Sequence, residues 1–134
     1  MGGALMLEPP VTGPLLHCQA EEREGAMLLH VSGEVDLDNI NMLADTVMDV
    51  LTDALTSQHP VILELSGLRY IDSVGLHILF RCHQRAERGK SELIFAGPSK
   101  FIRLLAERVG LDRLVRIFPD VQSALHALKT DEPA

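Results

Sequence analysis

A strand that leads into a helix stands at the middle of the chain and reads Val61-Ile62-Leu63-Glu64-Leu65-Ser66-Gly67-Leu68-Arg69-Tyr70-Ile71-Asp72-Ser73-Val74-Gly75-Leu76. Residues 61–65 are nearly all apolar, which is typical of a strand buried on both faces in a parallel sheet covered by helices. The following helix is predicted to span 74–88 and to stop at Gly89. Residues 66–75 therefore lie at the carboxyl end of a central strand, where open sheets of this kind place ligand or partner sites.

Strands and helices alternate on both sides of this segment. Before it, strands are predicted at 15–22 and 26–31, joined by the turn Glu24-Gly25, and are followed by a helix that is capped by Asp38 or Asn39 and ends near Thr56. The strand at 61–65 and the helix at 74–88 come next. After them, the predicted elements are a strand at 92–96, a helix from Ser99 to Val109, a short strand at 115–118 and a helix at 121–128. This order predicts an α/β fold: a mixed, mostly parallel sheet with about four helices and an antiparallel N-terminal hairpin.

The length of 134 residues suits a single domain. Gly and Pro are dense in residues 1–14, which predicts a flexible N-terminal tail, and residues 130–134 are predicted to be a flexible C-terminus. The domain itself is placed at 15–129. With no Trp and only 4% aromatic residues, its core has to be built from aliphatic side chains.

A formal net charge of −7 makes nucleic acid an unfavourable partner, because its phosphates would be repelled. Acidity of this size either steers the protein toward a basic partner surface or only keeps it in solution. The sequence has neither a secretory signal nor an apolar run long enough to span a membrane, so we expect a cytoplasmic protein that does not contact membranes. Cys18 and Cys82 are expected to be reduced thiols, with Cys82 buried.

Ser73 is predicted to lie where the second helix begins. Amides in the first turn of a helix lack carbonyl partners, and a Ser hydroxyl can accept one of them as an N-cap worth about 1 kcal/mol. The same amides and the positive end of the helix dipole also suit a phosphate. A phosphoserine would add about −1.5 to −2 charges beside Asp72, and Gly75 leaves room for a close approach. The turn thus fits either a structural cap or a switch.

Five segments resemble the STAS family and, within it, the bacterial anti-sigma-factor antagonists. They are Gly33-Glu34-Val35-Asp36-Leu37, Leu65-Ser66-Gly67-Leu68, Ile71-Asp72-Ser73-Val74-Gly75-Leu76, Gly97-Pro98-Ser99 and Gly110-Leu111-Asp112-Arg113-Leu114. Their order and spacing match the family from about residue 15 to residue 128. The resemblance implies a STAS fold for 15–129.

The resemblance also implies a mechanism. Such proteins bind an anti-sigma factor that is a serine kinase and thereby release a sigma factor; the kinase then uses its own ATP to phosphorylate the Ser that matches Ser73, and a phosphatase reverses this. The chain itself would need no cofactor and would not be an enzyme. The residues implied in partner binding and switching are Gly33, Asp36, Asp72, Val74, Gly75 and Leu76. The oligomeric state stays open.

Two positions depart from the family pattern. Val74 stands where the family often has a second Ser or Thr, which points more firmly to Ser73 as the acceptor. Glu64 replaces a strand residue that is commonly Asp. In the following helix, the apolar band of Leu76, Ile78, Leu79, Phe80 and Cys82 is wide enough either to be exposed in part for a partner or to be buried more deeply at its first turns.

Other functions fit the sequence less well. A hydrolase elbow G-x-S-x-G needs Gly two residues before the nucleophile, where Ile71 stands. No nucleotide-binding motif is present, and no metal site is expected, because His77 and Cys82 point to different faces of their helix. The competing interpretation is a STAS scaffold or regulatory subunit that does not switch, in a stress-signalling assembly or a lipid-transport complex.

Overall fold

A seven-stranded mixed sheet forms the centre of the part of the chain that the computed structural model describes, which is residues 5–6, 11–13 and 15–131. The elements are β1 (Leu5–Met6), β2 (Val11–Gly13), β3 (Leu16–Arg23), β4 (Ala26–Glu34), α1 (Ile40–Ser57), β5 (Val61–Tyr70), α2 (Ser73–Arg88), β6 (Leu93–Ala96), α3 (Lys100–Arg108), a 3₁₀ turn (Leu111–Arg113), β7 (Ile117–Phe118) and α4 (Val121–Thr130).

The sheet has the order β1-β3-β4-β5-β6-β7, and β2 also pairs with β3. β3 and β4 form the predicted antiparallel hairpin through Glu24 and Gly25, whose φ angles of 51° and 82° give the tight reversal. The pairs β4–β5, β5–β6 and β6–β7 are parallel. The predicted mixed, mostly parallel α/β fold is therefore confirmed.

The outer edge of β3 is covered by parts of the segment predicted to be a flexible tail. Leu5–Met6 and Val11–Gly13 both pair antiparallel with β3, so these two segments of the predicted tail are strands of the sheet. The exposed edge of a strand offers unpaired amides and carbonyls, and even a Gly- and Pro-rich segment can bind them. At the other end, Thr130 closes α4. The remaining residues of 1–14, and 132–134, lie outside the described residues.

The core has one layer on each face of the sheet. On one face, Leu29, Leu63 and Phe95 stand side by side across three parallel strands and pack under α1, α2 and α3. On the other face, Leu28 and Ile62 belong to a smaller cluster with α4. Both faces of β5 are therefore buried, as its apolar sequence predicts.

Two strands are longer than predicted. β4 continues to Glu34 and β5 continues to Tyr70, because their parallel ladder goes on past the apolar residues with two register shifts. Hydrogen bonding between backbones does not need apolar side chains, so the polar end of β5 does not look like a strand from its sequence.

The cap of α1 differs from the prediction, whereas the predicted stop of α2 at Gly89 is confirmed. Asn39 precedes α1, but its side chain does not cap the helix: Oδ1 accepts the Asp36 amide at 2.9 Å and Nδ2 donates to the Glu34 carbonyl at 2.9 Å. After α2, Gly89 has a φ of −87°, and the left-handed residue is Lys90, with a φ of 61°. The predicted cap of α3 is confirmed, because Ser99 Oγ accepts the amide of Ile102 at 3.2 Å.

Candidate functional site

The start of α2 is held by Asp72. This residue is the N-cap, with extended backbone (φ −100°, ψ 179°), and its Oδ1 accepts the amide of Gly75 at 2.8 Å. The interpretation of Ser73 as an N-cap is therefore wrong. Asp caps a helix as well as Ser does, and the cap falls to Asp72 because α2 begins at Ser73, whose backbone is already helical.

Ser73 is the first residue of α2, and its side chain is exposed. Its position places the hydroxyl beside first-turn amides and the positive end of the helix dipole. Since Asp72 does the capping, the hydroxyl is not needed to start the helix. This arrangement leaves Ser73 accessible to a modifying enzyme.

The neighbouring predicted residues have mixed positions. Val74 is 55% exposed, whereas Leu76 is 1% exposed and belongs to the core. Gly75 is buried, and a Cβ at this position would lie 2.5 Å from Cγ1 of Ile71. Gly75 is thus required by packing inside the chain, which the sequence did not show.

Asp36 lies at the same edge of the sheet as Asp72. Glu34 pairs with Tyr70 at the ends of β4 and β5, and the two aspartates each follow two residues later. Oδ1 of Asp36 accepts the amides of Asp38 at 2.9 Å and Asn39 at 3.2 Å, so this carboxylate orders the loop before α1. The structure thus brings the two predicted loops, around Asp36 and Asp72, to one edge of the sheet. Oδ1 of Asp36 is already occupied by the two amides of its own loop.

Gly33 has a structural reason of its own. Its φ is +104°, and a Cβ would meet the carbonyl oxygen of Leu15 at 1.9 Å. That oxygen accepts the amide of Glu34 at 2.6 Å. Gly33 therefore allows a close backbone crossing next to the site.

A groove opens directly beside Ser73, between α2 and the segment that follows α3. Its volume is about 320 Å³, and its lining is Ser73, Leu76, His77, Phe80, Val109, Leu111 and Leu114. The broad apolar band predicted for α2 is divided here: Leu76, Leu79 and Cys82 are buried, while Ile78 and Phe80 are half-buried. Two members of the band, the buried Leu76 and the half-buried Phe80, line the groove.

Glu64 takes part in a polar network on the α4 side of the sheet. Oε1 of Glu64 lies 3.2 Å from Nδ1 of His30, and Oε1 of Glu21 lies 3.2 Å from Nε2 of the same ring. Oε2 of Glu64 accepts the amide of Ser66 at 2.9 Å. The Glu64 side chain therefore holds the polar end of β5 through its hydrogen bonds and is not directed toward Ser73.

A family model for the STAS domain matches residues 17–124. The chain belongs to the STAS domain family. RsfB of Mycobacterium tuberculosis, named an anti-sigma-F factor antagonist, is 26% identical over 108 residues, which are 81% of this STAS chain and 85% of RsfB. A crystal structure titled an anti-sigma factor antagonist from Mycobacterium paratuberculosis is 23% identical, with a TM-score of 0.76 over 89% of this chain and 99% of that one.

The anti-sigma factor antagonist SpoIIAA is similar in fold. Its unphosphorylated form matches with a TM-score of 0.67 and 16% identity, over 87% of this STAS chain and 99% of that one. The phosphorylated form from Bacillus matches with a TM-score of 0.59 and 17% identity, over 83% and 98%.

Other chemistry finds little support in the described part of this STAS domain. Across residues 15–131, no three His, Cys, Asp or Glu side chains are grouped to hold a metal ion. Burial raises the pKa of both Cys18 and Cys82 to about 11, which keeps them as thiols. None of the helices within the described ranges combines the length and apolar character that crossing a bilayer requires.

The sequence did not reveal a group of exposed apolar side chains on α3 and at the residue that follows it. Phe101, Leu104 and Val109 are about half exposed, at 50%, 47% and 49%, while Ile102 and Ala106 are buried. Residues 101, 104 and 105 have the spacing of one helix face and could have indicated a second apolar stripe. The first stripe, with Ile102 and Ala106, already accounts for the buried residues of α3.

Proposed function

We propose that this STAS protein is an anti-sigma-factor antagonist, which binds an anti-sigma factor that is also a serine kinase and so frees a sigma factor for transcription. Phosphorylation of Ser73 by that kinase ends the binding. The observation that carries the proposal is the exposed Ser73 at the N-terminus of α2, with the cap supplied by Asp72. A hydroxyl that the helix does not need is free for a regulatory role.

The proposed switch is electrostatic. A phosphate on Ser73 adds about −1.5 to −2 charges at the rim of the apolar groove and beside the Asp72 carboxylate. In the isolated protein, solvent and the helix N-terminus stabilise this charge. In a dry interface the same charge loses its water, so the modified form binds the partner less well.

The relatives support this proposal. RsfB is named as an antagonist of an anti-sigma factor, and it covers most of this chain. SpoIIAA, which shares the fold, has been solved in an unphosphorylated and a phosphorylated form. The proposal transfers such a modification to Ser73 of this chain, whose neighbour Val74 offers no competing hydroxyl.

The chain is proposed to be a substrate and not a catalyst. The kinase moves the γ-phosphoryl group of its ATP to Oγ of Ser73, the hydroxyl proton is released and ADP leaves. A phosphatase then hydrolyses the phosphoserine with water and restores the hydroxyl. Both partner enzymes work where sigma factors act, so the proposal places this protein in the cytoplasm.

The test is phosphorylation by each anti-sigma kinase encoded in the source genome, with ATP, followed by site mapping with mass spectrometry. We expect phosphate on Ser73, its loss in Ser73→Ala, and no change in Ser66→Ala, which removes another exposed hydroxyl, on β5. Phosphate at a different residue, or none in the presence of an active kinase, would contradict the proposal.

The competing function is a STAS scaffold that does not switch. In a scaffold, Ser73 would be explained as a residue retained to cap α2. The hydrogen bond from the Gly75 amide to Oδ1 of Asp72 argues against this explanation, because Asp72 already caps the helix. Binding experiments separate the two functions: Ser73→Glu should weaken binding to the kinase, and a scaffold would bind equally well with either residue. The test is conservative, because one carboxylate carries only about half of the charge of a phosphate.

A further inference from the structure

The basic residues are segregated within this acidic chain. All but two of its twelve Lys and Arg residues, Arg23 and Lys129, lie between Arg69 and Arg116, where only five of the nineteen carboxylates occur. α1, in contrast, has no Lys or Arg. A net charge of −7 therefore does not describe the surface that α2 and α3 present.

Exposed apolar side chains are concentrated in the same region. Large apolar residues that are 44–58% exposed occur there at Tyr70, Val74, Phe101, Leu104, Val109 and Leu114. Five of them directly follow a basic residue: Tyr70 follows Arg69, and the other four form the pairs Lys100-Phe101, Arg103-Leu104, Arg108-Val109 and Arg113-Leu114. We call these four pairs the α3 face.

The basic side chains of the α3 face are exposed and mostly available. Lys100, Arg108 and Arg113 have no ion-pair partner within the described residues, and Arg103 reaches Glu107 at 3.9 Å. An exposed pair of that length contributes little to stability. The α3 face is therefore apolar with a rim of four basic side chains, against two exposed carboxylates, Glu107 and Asp112, in the same segment. Single exposed apolar residues scattered at random would not produce this combination.

The α3 face is continuous with the candidate switch. Val109 and Leu114 line one side of the groove whose other side includes Ser73 and Phe80. Tyr70, just before the switch, stacks on Phe101 with ring centroids 6.0 Å apart. A partner that covers Ser73 would thus also cover apolar and basic side chains of the α3 face.

We propose that the α3 face docks an acidic, amphipathic segment of the anti-sigma factor, with apolar side chains in the groove beside Ser73 and carboxylates opposite Lys100, Arg103, Arg108 and Arg113. This inference rests on the proposed function and specifies the chemistry of its partner. It differs from one of the two interpretations of the net charge, which is attraction to a basic partner surface. Charges beyond about 8 Å are screened at physiological salt, so the local rim dominates over the distant acidic residues.

An acidic partner also explains how phosphorylation releases it. A phosphate on Ser73 lies at the edge of the groove, where it repels the carboxylates of the docked segment and competes with them for the basic rim. A basic partner would instead be attracted by the phosphate. If phosphorylation releases the partner, the partner surface that faces Ser73 is therefore expected to be acidic.

The test uses the purified anti-sigma kinase that binds the unmodified protein. Lys100→Glu together with Arg113→Glu should weaken binding about ten-fold or more, mostly through slower association. The matched control is Arg85→Glu with Arg88→Glu, an equal change of charge in the last turn of α2, roughly 18 Å along the helix from Ser73. We expect the control to change the affinity less than about two-fold, because of salt screening.

Apolar contacts are tested separately with Leu104→Ser and Leu114→Ser. Both side chains are about half exposed, at 47% and 58%, so the melting temperature should stay close to that of the parent. We expect each change to weaken binding about ten-fold, because each removes an apolar side chain that the partner would bury. Binding of the parent should also weaken as salt rises.

The outcomes are distinguishable. If no anti-sigma kinase of the source genome binds the parent protein, the proposed function fails and this inference fails with it. If a kinase binds and the α3-face variants bind equally well or more tightly, only this inference is overturned. A third outcome would also overturn this inference: the protein forms dimers in solution, and Lys100→Glu with Arg113→Glu dissociates them. The α3 face would then bind the acidic stripe of Asp45, Asp49 and Asp53 on α1 of a second copy.

Discussion

Oδ1 of Asp72 accepts the backbone amide of Gly75 at 2.8 Å and thereby starts the helix whose first residue is Ser73. The two adjacent residues divide two tasks that the sequence could have assigned to one. Asp72 supplies a structural hydrogen bond, and Ser73 keeps an exposed hydroxyl. Substitutions at the two positions should therefore have separable effects.

Asp72→Ala should lower the free energy of unfolding by about 1 kcal/mol, because the amide of Gly75 loses its acceptor. Asp72→Asn should lose less, since Asn caps equally well and only the favourable charge at the helix N-terminus is removed. Urea denaturation of the three proteins measures both differences.

Asp120→Ala is the matched control for this prediction. Asp120 caps α4 in the same way, through the amide of Ser123 at 2.7 Å. The control should lose similar stability and leave phosphorylation of Ser73 unchanged. If Asp72→Ala were as stable as the parent, the capping role would be wrong.

Gly75→Ala should destabilise the protein by about 1–3 kcal/mol, although Ala is the better helix former by about 1 kcal/mol. The added Cβ would lie 2.5 Å and 2.9 Å from two carbons of Ile71, which is fully buried. Thermal and urea denaturation provide the measurement.

A double-mutant cycle isolates that contact. In an Ile71→Ala background the clash is absent, so Gly75→Ala should be neutral or slightly stabilising. A cost that is the same in both backgrounds would show that Gly75 is not required by its contact with Ile71.

Gly33→Ala should cost about 3 kcal/mol or more. The Cβ would be placed 1.9 Å from the carbonyl oxygen of Leu15, and the hydrogen bond from Glu34 to that oxygen would have to break or move. Gly25→Ala is the control, with a similar φ of +82° and nothing within 4 Å, so it reports backbone strain of about 1–2 kcal/mol alone. Equal losses in both variants would argue against the backbone clash.

The two thiols should be unreactive in the native protein. Cys18 and Cys82 are 1% and 3% exposed, and burial raises the pKa of each from 9.0 to about 11. At pH 8 a colorimetric thiol reagent should therefore react slowly with the folded chain and fully with the unfolded one. Rapid native reaction of either Cys would contradict its burial.

The same pKa shifts predict a pH dependence of stability. Because the folded pKa of each thiol is higher than the unfolded one, the stabilising contribution is complete below pH 9 and is lost as pH rises toward 11. Cys18→Ala with Cys82→Ala should show a shallower loss of unfolding free energy over this range. An identical slope would mean that other groups account for it.

Local sequence pattern was sufficient for the fold. The apolar run of 61–65, the helix-period residues of α1 and the turn at Glu24-Gly25 each report burial or backbone geometry of their own segment, and alternation of strands with helices then restricts the topology. The pattern was least reliable at polar ends, where β5 continues to Tyr70, because backbone pairing with β4 does not depend on side-chain hydropathy.

Tertiary structure was needed for the site. Sequence indicated that a helix starts near Ser73, but which of two adjacent capping residues binds the Gly75 amide depends on backbone angles at that point. Likewise, the exposure of Val109 and Leu114 in the groove beside Ser73 follows from how α3 and the following turn pack on α2. An apolar residue has the same local pattern whether another element covers it or leaves it open to a partner, so only the folded arrangement distinguishes core from docking surface.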